Sequence, residues 1–189
     1  IASCLVGSEM CIRDRLAEKN GDTISTAADT RFTDIPAHAW YSGYAKYLNN
    51  NGVTYGKSKT IFAPDDAITR AEFTTLAVRF FDVYGDGDAE IMEQFSGFND
   101  VSSGYWAAEY IKYAALHGWI NGYGDGSFHA DREINRAEVI TIVNRLLGRE
   151  ADADYIADNL RKLNTFPDVS RKHWAYYAVM EAANAHTAI

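Results

Sequence analysis

A short aromatic and acidic pattern occurs three times in this chain, and its spacing limits the fold more than any other feature. FTDIPAHAW begins at Phe32, FNDVSSGYW at Phe98 and FPDVSRKHW at Phe166, so the copies lie 66 and then 68 residues apart. Between the first two copies the offset of 66 holds without a gap as far as Arg79 and Arg145. A fixed period of this length is typical of repeat proteins, in which each copy is one supersecondary unit. The chain is therefore expected to fold as tandem repeats.

Each copy predicts a helix, a glycine-rich loop and a second helix. Apolar residues recur at helical spacing on both helices. Gly52 and Gly118 follow the first helices, where a helix end favours positive φ. Thr69-x-x-Glu72 and its Asn135-led equivalent are capping boxes that begin the second helices. The first-helix stripes are Trp40, Tyr44, Tyr47, Leu48 and Trp106, Tyr110, Tyr113, Ala114, and the second-helix stripes are Phe73, Leu76, Ala77, Phe80 and Val139, Ile142, Val143, Leu146.

Composition and charge narrow the class of protein. The 189 residues are 47% hydrophobic and 13% aromatic, which is enough for a packed core. No run of 18 apolar residues occurs, so we expect no membrane-spanning helix. The net charge of −8 argues against nucleic acid as a partner, because no basic face is available to neutralise phosphates. An anionic ligand would have to be held by locally placed cations.

Residues 4–15 resemble translated sequencing-adapter DNA. Met10 to Arg15 back-translates to ATG TGT ATA AGA GAC AG with one further base, which is similar to the mosaic end of transposase-made libraries. A lipoprotein cleavage site at Ile1 to Cys4 is the alternative, but neither a charged segment nor a long apolar segment accompanies it. The chain's two cysteines, Cys4 and Cys11, both lie here, so we expect no disulfide or thiol chemistry elsewhere. We expect the fold not to depend on this segment.

The combined pattern resembles the S-layer homology domain. FNDVSSGYWAAEYIKYAALHGWINGYGDGSFHADREINRAE, from Phe98 to Glu138, is similar to it nearly throughout. The resemblance implies that the repeats form a pseudo-trimeric bundle with central first helices, and that grooves bind pyruvylated secondary polymers of the Gram-positive cell wall. The first copy departs from the pattern, because VTYGKSKTIF at 53–62 replaces the Gly-Tyr-x-Asp-Gly loop. The third copy keeps Asp168 and Trp174 but has no loop or second helix in this sequence.

The expected organisation follows from these copies. We predict an adapter-like segment and linker at 1–31, repeat 1 at 32–80, a linker at 81–97, repeat 2 at 98–147, a linker with a short helix at 148–165, and a truncated repeat 3 at 166–189. The expected fold class is all-α, with tandem helix-loop-helix repeats in a pseudo-trimeric bundle.

The expected function is non-covalent anchoring to a cell wall. The partner implied by the resemblance is an anionic, pyruvylated secondary cell wall polysaccharide, or another peptidoglycan-linked glycan, of a Gram-positive-type bacterium. The location it implies is secreted, at the cell surface or S-layer. The alternative is a protein–protein assembly module of a surface layer that does not bind glycan directly. We expect no enzyme activity and no cofactor, and we expect apolar surface near Tyr177 and Met180 to favour self-association through the third repeat.

Arg70 and Arg136 are the candidate anion-binding residues. Each follows a capping residue, where free backbone N–H groups and the helix macrodipole favour an anion. A guanidinium adds a planar fork that matches a carboxylate. From spacing alone, pairing with an acidic neighbour such as Glu72 or Asp131 is favoured, whereas the family resemblance favours ligand binding.

The aromatic residues that open the first helices, Trp40, Trp106 and Trp174, are candidates for stacking on sugar rings. From spacing alone, a ring buried as an anchor at the helix start is favoured, and both interpretations hold if one ring face lines a groove. The loops that should border the grooves add further candidates, with solvated side chains as the alternative. These loop candidates are Tyr55, Lys57, Gly122, Tyr123 and Asp125.

The acidic residues that stand out in the sequence are more typical of turns and linkers than of metal sites. Asp34, Asp100 and Asp168 precede the first helices and are expected to be turn or cap residues. The segment from Asp82 to Glu93 approaches a calcium-loop pattern, but a tyrosine occupies the third position. We interpret it as a solvated linker, with weak calcium binding as the alternative, and expect no metal site.

Overall fold

The computed structural model describes residues 31–84 and 97–184. These residues contain six helices and no strand: α1 Ser42–Asn50, α2 Arg70–Tyr84, α3 Ala108–Leu116, α4 Arg136–Leu146, α5 Ala153–Asn159 and α6 Tyr176–Ala183. The all-α class is confirmed for this part of the chain. None of these helices is long and apolar enough to cross a membrane. The adapter-like residues 4–15 and most of the acidic linker lie outside the described residues.

The chain divides into two compact units, Ile1–Ile134 and Asn135–Ile189. In the first unit α2 packs against α3, and in the second α4 packs against α6. Each second helix therefore packs on the first helix of the following repeat. The unit of packing is thus offset from the unit of sequence repetition.

The second helices bury the faces that the sequence predicts. On α2, Phe73 and Phe80 are each 1% exposed, and on α4, Val139 is 1% exposed. Burying such side chains stabilises the fold by about 1.5–3 kcal/mol each. Both predicted capping boxes are present: the Glu72 N–H donates to Thr69 Oγ1 at 3.2 Å and the Thr69 N–H donates to Glu72 Oε2 at 2.9 Å. The Asn135 box at the start of α4 has the same reciprocal bonds.

The stripes predicted for the first helices hold in part: their tyrosines lie in the helices and are half-buried, whereas their tryptophans do not. Trp40 and Trp106 precede α1 and α3 and are 52% and 57% exposed. Small and aliphatic side chains form the fully buried faces of α1 and α3. The buried residues are Ser42, Gly43, Ala45 and Leu48 in α1 and Ile111 and Ala114 in α3.

The loop after each first helix begins with a turn at a glycine. An aspartate that is distant in the sequence then accepts hydrogen bonds from its backbone. Gly52 and Gly118 have φ of 74° and 70°, as predicted. The Asp34 carboxylate accepts the N–H of Phe62 at 2.9 Å and that of the next residue at 2.6 Å. Asp100 accepts the N–H of Phe128 and of the following residue, each at 2.7 Å. Both aspartates lie in turns, as predicted, but their carboxylates bond 28 and 29 residues away rather than locally.

The second unit has a small core of its own. Ile156 of α5, the short helix expected in the second linker, packs with Tyr176 and Met180 of α6. Met180 is 2% exposed, so the expectation that it is part of an exposed apolar surface is wrong. Tyr177 is 49% exposed, as expected. The α5 helix covers Met180 without covering Tyr177's side of α6.

Candidate ligand-binding groove

A groove of about 320 Å³ lies in the first unit. The loop after α1, one face of α2 and the tryptophan that precedes α3 form its walls. Its base is apolar, and its polar and aromatic groups are few. The residues that matter below are Tyr55 and Lys57 from the loop, Glu72, Thr75 and Arg79 from α2, and Trp106.

Arg79 carries the positive charge in this groove between two tyrosine rings. Its guanidinium carbon lies 4.9 Å from the Tyr55 ring centroid and 5.1 Å from that of Tyr110. Its Nε and Nη2 each donate to the Tyr110 hydroxyl at 3.4 Å. Aromatic faces attract a cation through their quadrupole without neutralising its charge. No acidic side chain in the described ranges pairs with Arg79, so the charge is held in position and remains able to meet an anion.

A lysine and a glutamate form an ion pair at another part of the groove. Lys57 Nζ lies 2.5 Å from Glu72 Oε1. Burial raises the pKa of Glu72, but the hydrogen bonds from Lys57 and from the Thr69 N–H lower it by more, so the net pKa is below its usual value. The carboxylate is therefore ionised near neutral pH and compensates the lysine charge.

Exposed aromatic rings form the groove's walls. Tyr55 is 52% exposed and Trp106 is 57% exposed. Trp40 and Trp174, the equivalent residues of the other repeats, are 52% and 63% exposed. The interpretation of these tryptophans as buried anchors is therefore wrong, because all three rings leave half or more of their surface to solvent. Of the three, Trp106 lines this groove.

Arg70 begins α2, as predicted, but it lies in the interior of the first unit at 5% exposure. Its Nε donates to the Phe128 carbonyl at 2.9 Å and its Nη2 donates to the Asn121 carbonyl at 3.3 Å. The guanidinium carbon also lies 4.5 Å from the Phe128 ring centroid and 5.2 Å from that of Tyr123. An anion reaches this arginine only if these contacts open.

The remaining loop candidates gather around the same second-repeat loop and outside the groove lining. A Cβ at Gly122 would overlap Phe98 Cε1 and lie 2.7 Å from the Ser127 carbonyl oxygen. Asp125 accepts from the Ser127 N–H at 3.0 Å and from its hydroxyl at 2.6 Å. The hydrogen bonds from Ser127 lower the pKa of Asp125. Tyr123 is 39% exposed and accepts a hydrogen bond from Arg132 Nη2.

Arg136 and Trp174 lie in the second unit. Arg136 is the first residue of α4 and is exposed. Trp174 packs beside His173, with their ring centroids 5.7 Å apart. In the first unit, the Trp40 ring centroid lies 5.4 Å from that of Tyr41 and 5.9 Å from that of Tyr44. The structure thus brings Tyr55, Lys57 and Trp106 together in one groove and gathers Arg70, Gly122, Tyr123 and Asp125 around one loop.

Sequence reasoning missed Arg79 and Tyr110 as site residues. A signal was present: Arg79 has a counterpart, Arg145, at the same offset of 66, on a helix that otherwise carries apolar residues. Tyr110 was interpreted only as part of a stripe at helical spacing. The described ranges contain no cluster of three or more His, Cys, Asp or Glu side chains suited to a metal ion.

Comparison with known proteins gives this architecture a family. The family model of the S-layer homology domain matches residues 31–74 and 97–140. The chain is 32% identical over 166 residues to Cell surface glycoprotein 1 of Acetivibrio thermocellus, a match that covers 84% of this chain and 7% of that protein. It is 29% identical over 158 residues to the Cellulosome-anchoring protein of the same organism, which covers 82% of this chain and 33% of that protein.

A third relative carries the name of an enzyme. Amylopullulanase of Thermoanaerobacterium thermosulfurigenes is 31% identical over 156 residues, a match that covers 82% of this chain and 8% of that protein. The chain therefore spans a third or less of the length of each of these relatives. No solved structure matches it. From the family match and the repeated helix-loop-helix architecture, residues 31–74 and 97–140 are two S-layer homology domains.

Proposed function

We propose that this chain is a non-covalent cell-wall anchoring module that binds an anionic, pyruvylated secondary cell wall polysaccharide through the groove around Arg79. Its two S-layer homology domains make it a cell-surface protein. One observation carries the proposal. A guanidinium that no described acidic side chain pairs with lies between Tyr55 and Tyr110 in a groove walled by Trp106.

The chemistry of this groove fits an acidic sugar. A guanidinium donates two parallel hydrogen bonds to a carboxylate, which a pyruvyl group supplies. The exposed faces of Tyr55 and Trp106 offer apolar surface to the C–H side of a sugar ring. Small-molecule sites are usually about 300–1,000 Å³, so 320 Å³ suits one or two sugar units rather than a long segment.

Short-range contacts have to supply the affinity. The chain carries a net charge of −8, so an anionic polymer is repelled at long range, most strongly at low salt. Within the groove, the ion pair with Glu72 already compensates Lys57. Arg79 is therefore the principal contact proposed for the ligand carboxylate, and Lys57, at another part of the groove, is a second proposed contact.

The other predicted site residues take two kinds of role in this proposal. Arg70 acts indirectly, because its guanidinium donates to carbonyls of the loop that contains Gly122, Tyr123 and Asp125 and so fixes that loop. Arg136 at the exposed start of α4 stays a proposed direct contact. Trp40 and Trp174 are proposed to wall further grooves, since they are equivalent to Trp106 in the repeat and similarly exposed.

We also propose the pseudo-trimeric bundle that the family resemblance implies. The central helices would be α1, α3 and α6, each preceded by the tryptophan of its repeat. Single cysteines placed on two of these helices, in a variant lacking Cys4 and Cys11, test the arrangement by short-range crosslinking. Crosslinks between each pair of helices are expected, and their absence for every pair contradicts the bundle.

An experiment separates glycan binding from the assembly-module alternative. The chain is sedimented with purified cell-wall sacculi and with the same sacculi stripped of their secondary polymer. Co-sedimentation with the first and not with the second is the expected result, because the acidic polymer is the proposed ligand. Equal sedimentation with both, or binding only when another surface protein coats the sacculi, contradicts the proposal and favours a protein–protein module.

A further inference from the structure

Asparagine followed directly by glycine occurs three times in the sequence, at Asn20–Gly21, Asn51–Gly52 and Asn121–Gly122. In such a pair the glycine backbone nitrogen can attack the asparagine side-chain carbonyl carbon, because glycine has no Cβ to hinder the approach. Whether a fold permits this reaction depends on the hydrogen bonds of the two reacting groups. The first pair lies outside the described residues, and the structure describes the other two.

The Asn51–Gly52 pair has a hydrogen bond on each reacting group. The Asn51 side-chain amide donates to the Tyr47 carbonyl at 2.9 Å. The Gly52 N–H donates to the Asn49 carbonyl at 3.1 Å, at the end of α1. Attack of the glycine nitrogen would require both hydrogen bonds to break. The fold therefore protects this pair.

The Asn121–Gly122 pair has no such protection. Asn121 is exposed, and within the described ranges neither its side-chain amide nor the Gly122 N–H makes a hydrogen bond. The pair lies in the loop after α3 and belongs to no helix. The carbon that would be attacked and the nitrogen that would attack it are therefore adjacent, and no hydrogen bond has to open first.

Arg70 favours the reactive form of this pair. The nucleophile is the glycine nitrogen after it has lost its proton, and the resonance of the peptide group places much of the resulting negative charge on the preceding carbonyl oxygen. That oxygen, the Asn121 carbonyl, accepts a hydrogen bond from Arg70 Nη2 at 3.3 Å. The arginine is 5% exposed. A nearby positive charge stabilises an anion, and does so more strongly where water is excluded.

We infer that Asn121 is a site of spontaneous deamidation, in which the Gly122 nitrogen attacks the Asn121 side chain. Base removes the Gly122 proton, the nitrogen forms a bond to Asn121 Cγ, and the side-chain nitrogen takes a proton from water and leaves as ammonia. The product is a five-membered succinimide ring. Water then opens this ring at either carbonyl, which gives aspartate or isoaspartate.

The isoaspartyl product changes the loop most. It lengthens the main chain by one methylene between residues 121 and 122. Gly122 has little room to move, because a Cβ there would overlap Phe98 Cε1 and lie 2.7 Å from the Ser127 carbonyl oxygen. Isoaspartate should therefore destabilise this loop. The reaction needs only residues of this loop and Arg70, so it does not depend on the glycan groove.

Folding itself provides the control, because both pairs are the same dipeptide. The intact chain is incubated in mildly alkaline buffer, once folded and once unfolded in urea. Peptide mass spectrometry with electron-transfer fragmentation measures aspartate and isoaspartate at each position. We expect folding to slow conversion at Asn51 about tenfold or more, since its two hydrogen bonds must first open. Conversion at Asn121 should be at least as fast in the folded chain as in urea.

Hydrogen exchange and one substitution test the part played by Arg70. Base-catalysed exchange of a backbone N–H passes through the same deprotonated nitrogen, so in the ¹⁵N-labelled chain the Gly122 N–H should exchange fast and the Gly52 N–H slowly. Arg70→Lys keeps the charge but loses the fork that reaches the Asn121 carbonyl. In a variant that circular dichroism shows to be folded, exchange at Gly122 and conversion at Asn121 should both slow, with conversion at Asn51 unchanged.

Slowing of Asn121 on folding by as much as Asn51, or a Gly122 N–H as protected as that of Gly52, overturns the inference. Unchanged conversion at Asn121 in a folded Arg70→Lys variant overturns the role of the arginine. If that variant does not fold, the two measurements on the wild-type chain decide alone.

Discussion

The guanidinium carbon of Arg79 lies 4.9 Å from the ring centroid of Tyr55, although the two residues are 24 positions apart and belong to different elements. This contact ties α2 to the loop after α1 and sets a positive charge in the groove. The same guanidinium contacts Tyr110 of the next repeat. A site built in this way depends on the packing of one repeat on the next. A substitution here can therefore change the stability of the fold, the affinity for ligand, or both, and each is measured separately.

Gly122 is required by the Phe98 ring. Gly122→Ala should destabilise the first unit by about 1–3 kcal/mol, because the added Cβ overlaps Phe98 Cε1 and approaches the Ser127 carbonyl oxygen at 2.7 Å. Gly124→Ala is the matched control in the same loop, where a Cβ meets nothing within 4 Å. Urea unfolding measures both. Equal stability of the two variants would mean that the ring does not confine the loop.

Asp100 makes the free energy of unfolding depend on pH. Burial raises the pKa of Asp100, but the N–H groups of Phe128 and His129 lower it by more, so the folded-state pKa lies below the usual value of 3.8. The stability it contributes is therefore full above that usual value and is lost as the pH falls through the lower, folded pKa. Asp100→Asn should cost about 1–2 kcal/mol at neutral pH and should lose less stability than wild type on acidification.

Unfolding curves at about pH 7 and about pH 3 measure this difference. Asp168→Asn is the matched control, since the Asp168 carboxylate makes no hydrogen bond within the described residues. If Asp100→Asn and wild type lose the same stability between the two pH values, this carboxylate does not hold the loop.

The sequence predicts local features well and contacts between repeats poorly. The capping box of Thr69 and Glu72 and the buried face with Phe73 depend on neighbours within one helix, and both are present. Helical spacing could not separate Trp106 from the core, because periodicity marks an apolar stripe without saying which part meets solvent. The pairing of Arg79 with Tyr110 spans 31 residues and arises only when α2 packs on α3.

The Trp106→Ala variant tests whether Trp106 forms a groove wall or belongs to the core. Because its ring is 57% exposed, Trp106→Ala should change the free energy of unfolding by less than about 1 kcal/mol, far below the cost of removing a buried tryptophan. It should nevertheless weaken binding to the wall polymer. Tyr177→Ala is the control, since Tyr177 is 49% exposed and does not line this groove. A large loss of stability, or equal binding by the two variants, would count against Trp106 as a wall.

Glu72 should oppose anion binding through its pair with Lys57. Glu72→Gln keeps a side chain that can complete the capping box, but it leaves the lysine charge uncompensated. Affinity for the anionic polymer should rise about two- to fivefold, the range expected when a partly exposed ion pair is opened. Glu138→Gln changes the corresponding capping box of α4 and should leave affinity in this groove unchanged. Weaker binding by Glu72→Gln would mean that the carboxylate itself contacts the ligand.

Conservative replacement of Arg79 separates charge from geometry. Arg79→Lys keeps the charge but loses the planar fork and its stacking between Tyr55 and Tyr110. Binding should be intermediate between that of wild type and Arg79→Gln, with the fold preserved by circular dichroism.

The most direct test is calorimetric titration of the chain with purified pyruvylated wall polysaccharide, comparing wild type, Arg79→Gln and Arg161→Gln. The last variant removes the same charge from an exposed side chain that does not line the groove. Removing a half-buried charged donor opposite a carboxylate costs about 2–5 kcal/mol, so Arg79→Gln should bind at least about tenfold more weakly while Arg161→Gln binds like wild type. Equal affinity for all three folded proteins would contradict the assignment of this groove as the glycan site.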